Sequence, residues 1–243
     1  EDPRRQRQMC IRDRSKALQH VFFAERQAAK VPGLSKDTPL QTIKKVGVIG
    51  AGTMGGGISM NFANVGIPVK ILEMDQAALD KGLGIVKKNY EASAWKGRIS
   101  SEDVDVRMGL IEGTTNYSDL KDVDLVIEAV FENMDVKKEV FSKLNETVSE
   151  NTILASNTSY LDIDEIATVV DNPERVLGMH FFSPANIMRL LEIIKAEKTS
   201  PAILATVLKL AKSIKKVGAV AGVCHGFIGN RMLTGYSLSL IHI

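Results

Sequence analysis

Apolar residues along this chain follow two alternating patterns. Short, mostly apolar runs occur at Val46–Ile49, Val69–Leu72, Val123–Val130 (interrupted by an acid near its end), Thr152–Ala155, Val176–Phe181 and Met188–Ile194, each of strand length. Between them the apolar positions recur at helical spacing, as with Ile58, Phe62 and Val65, and again through Gln76–Trp95 and Met134–Val148. Pro201–Ile214 reads as a helix with proline in its first turn, and Ser101-Glu102-Asp103 as a helix start. Leu110–Thr115 and Val217–Val220 complete the strands. Strand alternating with helix predicts an α/β domain with a mostly parallel sheet over residues 43–224. Upstream, Ser15–Lys30 reads as a helix with Leu18, Val21 and Phe22 on one face; Pro32-Gly33 stops it and a polar linker runs to Thr42. That helix suggests a domain preceding the linker, or else an apolar face that packs on the domain following it. Gly226-Phe227-Ile228-Gly229-Asn230-Arg231 opens a further helix, so residues 225–237 read as the truncated start of a second, all-helical domain.

The two ends break the pattern. Residues 4–14 show no helical or strand period, and Leu238–Ile243 is an apolar tail. Codons ATG TGT ATA AGA GAC AG would spell Met9–Asp13 and begin Arg14. Their reverse complement, CTG TCT CTT ATA CAC AT, would spell Leu238–His242 and begin Ile243. That relation resembles a sequencing adapter read through on both sides of an insert, so residues 1–14 and 238–243 are expected to be foreign.

The first run ends in Gly50-Ala51-Gly52-Thr53-Met54-Gly55, and the second ends on Glu73. Strand, Gly-x-Gly-x-x-Gly, helix, strand and terminal acid form the dinucleotide fingerprint of the Rossmann-type doubly wound fold. Gly50 permits the turn, Gly52 keeps Cβ away from a pyrophosphate, and Gly55 lets helix and strand approach; Thr53 and Met54 open the helix whose positive end faces the phosphates. Glu73 accepts hydrogen bonds from ribose hydroxyls and repels a 2′-phosphate. Met74-Asp75-Gln76 brings no cation to bind one, which favours NAD over NADP.

Composition adds boundaries. With 243 residues, 44% hydrophobic, and a formal charge of +2 spread evenly, the chain offers no surface for nucleic acid. No apolar run approaches the ~20 residues of a membrane span. Cys10 and Cys224 have neither disulfide nor metal spacing, and no secretory signal is visible, so no metal and a cytoplasmic setting are expected.

Candidate chemistry falls at strand ends. In open α/β sheets ligands sit beyond the carboxyl ends of the strands, where Glu128, Asn133 and the Ser156-Asn157-Thr158-Ser159 loop lie. His180, in Met179-His180-Phe181-Phe182-Ser183-Pro184, could be an ordinary core histidine. Glu192, in Leu190-Leu191-Glu192-Ile193-Ile194, would be costly to bury alone. If the two meet, the carboxylate fixes the imidazole tautomer and raises its basicity, making a general base for a hydroxyl; spacing leaves that contact open.

HFFSP, the Arg-Leu-Leu-Glu strand, SNTSY, GFIGNRM and GAGTMG together resemble the L-3-hydroxyacyl-CoA dehydrogenase family over roughly Lys44–Met232. Ser15–Lys30 is similar to the connecting helix of multifunctional fatty-acid oxidation proteins, in which an enoyl-CoA hydratase domain precedes the dehydrogenase. HFFSPANIMRLLEII and GVCHGFIGNRM resemble the peroxisomal-type and bacterial bifunctional members. The resemblance implies a (3S)-3-hydroxyacyl-CoA dehydrogenase of β-oxidation that uses NAD and an acyl-CoA. It would be peroxisomal if the source is eukaryotic, with a helical domain from near Asn230 closing over the acyl-CoA and forming much of a dimer contact. It implies His180 and Glu192 as the catalytic pair and Ser159 and Asn230 as substrate-side polar residues. Cofactor contacts would be Gly50, Gly52, Thr53, Met54, Gly55, Glu73, Glu128, Asn133, Ser159 and Ser183, with Lys96 toward the CoA phosphates. Many members carry Asn where Ser183 stands. Lys96 reads equally as a solvated lysine, Ser159 as a turn residue and Asn230 as a helix cap. A stand-alone 3-hydroxybutyryl-CoA dehydrogenase, or an NAD-binding module without turnover, are the alternatives.

Overall fold

The computed structural model describes residues 3–28 and 30–241. Among them, one eight-stranded sheet carries the fold: β1 (Val46–Ile49), β2 (Val69–Leu72), β3 (Ile111–Thr114), β4 (Leu125–Glu128), β5 (Ile153–Ser156), β6 (Val176–Phe181), β7 (Leu190–Lys195) and β8 (Val217–Gly222). Their order is β3-β2-β1-β4-β5-β6-β7-β8, and every pairing is parallel except β6 with β7. The doubly wound sheet expected from the strand–helix alternation is therefore present, and its order reverses at β1/β4, beside the glycine turn.

Helices cover both faces, as they must when parallel strands are apolar on both sides. Val48, Ile71, Ile127 and Met179 pack under α2 (Thr53–Ala63), α3 (Gln76–Trp95), α4 (Ser101–Gly109) and α7 (Pro201–Ser213). Ile49, Leu72, Val126 and Leu154 pack under α5 (Met134–Thr147) and α6 (Ile163–Ala167). Each such aliphatic side chain, buried fully, contributes about 1.5–3 kcal/mol. Side-chain caps set where these helices begin: Asp75 bonds the Ala78 amide, Ser100 and Asp103 make a reciprocal capping box, and Ser200 caps α7 ahead of Pro201. None of the described helices is long and apolar enough to cross a membrane.

Both ends are helical where they are described. α1 spans Pro3–Ala28, so residues 4–14 are helical rather than patternless. Arg, Gln and Met are all good helix formers, and no glycine or proline interrupts the segment after Pro3. Leu18, Val21 and Phe22 of its apolar face are exposed, while α1 meets the following domain at β8 and through Glu25 to Arg189 at 3.1 Å. Likewise α8 (Gly229–Ile241) runs on through the tail expected to be foreign, of which residues 242–243 lie outside the described part.

Candidate active site

The glycine turn is held by close contacts. Gly50 has φ +98°, and a Cβ there would lie 2.8 Å from the Ala129 carbonyl oxygen; a Cβ on Gly55 would come to 1.8 Å from that of Gly50. Gly52 differs, because a Cβ there would meet nothing within 4 Å. The protein itself does not demand glycine at that position, and the space borders a cleft of about 610 Å³ lined by Gly50, Gly52, Thr53, Met54, Glu73 and Tyr117. Gly52 also precedes α2 without a side-chain cap, leaving the helix's positive end open to a ligand. Glu73 reaches back to the turn, accepting from the Ala51 amide at 3.0 Å and from that of Met74 at 2.9 Å. An open helix start, room at Gly52 and an acceptor-only carboxylate suit a dinucleotide with a free ribose diol.

Across the sheet, His180 on β6 stands directly opposite Glu192 on β7. Nδ1 of the imidazole lies 2.7 Å from Oε2 of the carboxylate, and Glu192 is wholly buried. Burial pushes the Glu192 carboxyl up, but hydrogen bonds from His180 and from the Gly229 and Ile228 amides outweigh it and hold the group below the usual carboxylate range. An ionised Glu192 requires a proton on Nδ1, which leaves Nε2 as the acceptor nitrogen. Phe182 and Phe227 flank the imidazole, with ring centroids 4.5 and 5.9 Å away.

The Ser156–Ser159 loop is fastened by a residue that sequence reasoning missed. Glu132 accepts from the Thr158 hydroxyl at 2.6 Å and from the Ser159 and Tyr160 amides at 2.7 and 3.1 Å. Burial raises its carboxyl, yet these bonds and Lys137 bring it below the ordinary value. Lys137, also missed, is buried between Glu132 at 3.6 Å and Glu128 at 2.7 Å. In the sequence Glu128, Glu132 and Lys137 stand near one strand end, but a lysine in an amphipathic helix reads as solvated until the sheet is assembled. Asn157 adds a tie to β6, accepting from the Phe181 amide at 2.8 Å.

The expected site residues lie in different surroundings. Glu128 is turned inward, not toward the cleft: its oxygens accept from Lys137, the Val130 amide and the Ser156 hydroxyl, because an acid at that strand position faces α5. Asn133 is exposed and caps α5 by accepting from the Val136 amide at 3.1 Å. Ser183 is exposed after β6, and Lys96 is exposed at the C-cap of α3, with no hydrogen bond or ion pair among the described residues to the rest of the set. Asn230, in the first turn of α8, reaches the Ser159 carbonyl with Nδ2 at 3.5 Å, bringing those two together.

Fold and cleft thus define a dinucleotide-binding domain of the doubly wound class, with a histidine–glutamate pair on β6 and β7 of the same sheet. Residues 45–224 match the family model described as 3-hydroxyacyl-CoA dehydrogenase, NAD binding domain. The chain belongs to that family, and its cofactor is NAD. It is 46% identical over 227 residues to the peroxisomal bifunctional enzyme of Cavia porcellus, covering 91% of this chain and 31% of that protein. To the peroxisomal fatty acid beta-oxidation multifunctional protein MFP2 of Arabidopsis thaliana it is 41% identical, covering 93% and 31%. The chain therefore spans about a third of the length of these curated relatives. Among solved structures, M. tuberculosis FadB2 matches with TM-score 0.81 and 36% identity, covering 83% of this chain and 72% of that one. The (S)-3-hydroxybutyryl-CoA dehydrogenase of Ralstonia eutropha matches with TM-score 0.78 and 38% identity, covering 79% and 68%.

Proposed function

We propose that this chain supplies the NAD-binding and base-bearing part of a (3S)-3-hydroxyacyl-CoA dehydrogenase of fatty-acid β-oxidation, within a longer multifunctional protein. The observation that carries the reading is the 2.7 Å His180–Glu192 pair beside the loop bearing Ser159. His180 Nε2 takes the proton of the 3-hydroxyl. Bound NAD supplies the acceptor for the hydride that leaves C3. Glu192 stabilises the imidazolium that results, as the orienting acid of a triad does. Ser159 and Asn230 bracket the oxygen that becomes the ketone, and general-base help of this kind contributes ~10²–10⁴ in rate. In this reading Gly50, Gly52, Thr53, Met54, Gly55 and Glu73 hold the nucleotide. Ser183 faces the nicotinamide side, and Lys96 meets the CoA phosphates from the end of α3. Residues 43–224 form the dehydrogenase domain, 15–42 connect it to an upstream enoyl-CoA hydratase domain, and 225–237 begin the helical domain.

The test is the absorbance of NADH formed from NAD and separate (3S)- and (3R)-3-hydroxybutyryl-CoA. Formation from the 3S substrate alone supports the reading; formation from both or from neither opposes it. The relatives' names speak of peroxisomes, which supports a peroxisomal setting for a eukaryotic source over the cytoplasmic one. A second reading, NAD binding without turnover, draws on Met232, Leu233 and Tyr236, whose side chains stand exposed on α8. NADH binding by fluorescence without acetoacetyl-CoA-dependent oxidation would select it.

A further inference from the structure

The Glu192 carboxylate has two sets of partners. Oε2 meets His180, while Oε1 accepts from the amides of Ile228 at 3.0 Å and Gly229 at 2.6 Å. Those amides form the start of α8, so the acid that orients the base also seats this helix. The seat is closely built. Phe227 is buried in a left-handed conformation, φ +46°, following Gly226 at φ +70°. A Cβ on Gly229 would lie 2.7 Å from the Phe182 ring and 3.5 Å from Glu192 Oε1. The ring of Phe182 in turn flanks His180. Seated in this way, α8 also brings Asn230 to Ser159.

We infer that the start of α8 is a positioning element for the base. Its Ile228 and Gly229 amides draw charge from Glu192 while the helix is seated, and so weaken the proton affinity that Glu192 lends to His180. The inference rests on reading His180–Glu192 as the base pair. A carboxylate whose charge is shared with two amides at the positive end of a helix stabilises a neighbouring imidazolium less than one whose charge is directed at the ring alone. The low-lying Glu192 carboxyl agrees with those bonds. Among the described residues, Glu192 is the ionisable group bonded to His180, and the other ring neighbours are Phe182 and Phe227. Seating α8 then does two things together: it brings Asn230 to Ser159, and it divides the Glu192 charge between His180 and the helix start.

The experiment is an NMR titration of the His180 ring nitrogens in the whole chain, without substrate. Gly229→Pro removes one N–H donor at a first-turn position, its ring carbon taking the proton's place against Glu192, and Gly229→Ala adds a Cβ against Phe182 while keeping the N–H. The His180 midpoint should rise by roughly half to one pH unit in Gly229→Pro relative to Gly229→Ala. If the two variants titrate together, whether like the wild type or equally displaced, the amide is not the coupling and the inference is overturned. Should Gly229→Pro fail to fold, glycolic acid in place of Gly229 turns the amide into an ester with less steric change, and the same comparison applies. Because no substrate is used, failure here leaves the dehydrogenase reading to be judged by the NADH assay.

Discussion

His180 and Glu192 face each other across the one antiparallel pairing in the sheet, so an ionisable pair replaces an apolar cross-strand pair. The alignment places the ring nitrogen 2.7 Å from the carboxylate without a loop to position either residue. Rigid strands hold catalytic geometry better than loops do. Glu192→Gln keeps the shape but removes the charge that stabilises the imidazolium in the proposed reaction. Turnover should fall by at least ~10²-fold with the NADH dissociation constant little changed; equal losses in both would point to a collapsed sheet instead of a lost charge.

Glu73 touches the glycine turn through the Ala51 amide as well as lining the nucleotide cleft. Glu73→Ala should weaken NAD binding by roughly tenfold, the effect of about 1.4 kcal/mol, measured by fluorescence titration. An unchanged dissociation constant would remove Glu73 from the ribose.

Lys137 and Glu128 are both buried, and an ion pair in such a place is costly to half-dismantle. Lys137→Met should destabilise the fold by about 3–5 kcal/mol, because Glu128 is left charged and unpaired. The double variant Glu128→Gln/Lys137→Met should recover a large part of that loss in urea unfolding. No recovery would mean that the hydrogen bonds of Glu128 to Val130 and Ser156, not the pair, carry the stability.

Glu132 provides the pH dependence. Its carboxyl is pushed up by burial but brought net below the ordinary value by Thr158, Ser159, Lys137 and Tyr160. A depressed folded value means that the unfolded chain takes up protons first as pH falls. The stability it contributes is therefore complete above the unfolded value, near 4.5, and is lost below it as pH falls through the folded value. Relative to Glu132→Gln, the wild type should lose stability as pH falls below about 4.5, read from urea midpoints; parallel curves would contradict the shift.

Much of this architecture could be read from the residues alone. The glycine turn, Glu73 and the strand–helix alternation are local patterns, and a parallel sheet follows from them with little freedom. α3 spans the Gln76–Trp95 stretch that its apolar spacing marked out. α6 escaped notice because five residues are too short for a periodic signal. The length of α1 escaped because propensity, not amphipathic spacing, makes its first half helical. At the site, sequence could name His180 and Glu192 but not their meeting, which depends on β7 running against β6. The Glu128–Lys137–Glu132 chain was hidden for the same reason: a lysine on a helix becomes buried only when that helix lies over a particular strand end.

The central claim is that His180 is the proton acceptor in an NAD-linked oxidation. The direct measurement is NADH formation from (3S)-3-hydroxybutyryl-CoA by the wild type and His180→Gln, with NADH binding titrated in parallel. The account predicts that turnover, however slow in the wild-type chain, falls by ~10²–10⁴ in the variant while the NADH dissociation constant stays within about twofold. Turnover by His180→Gln at the wild-type rate would contradict it.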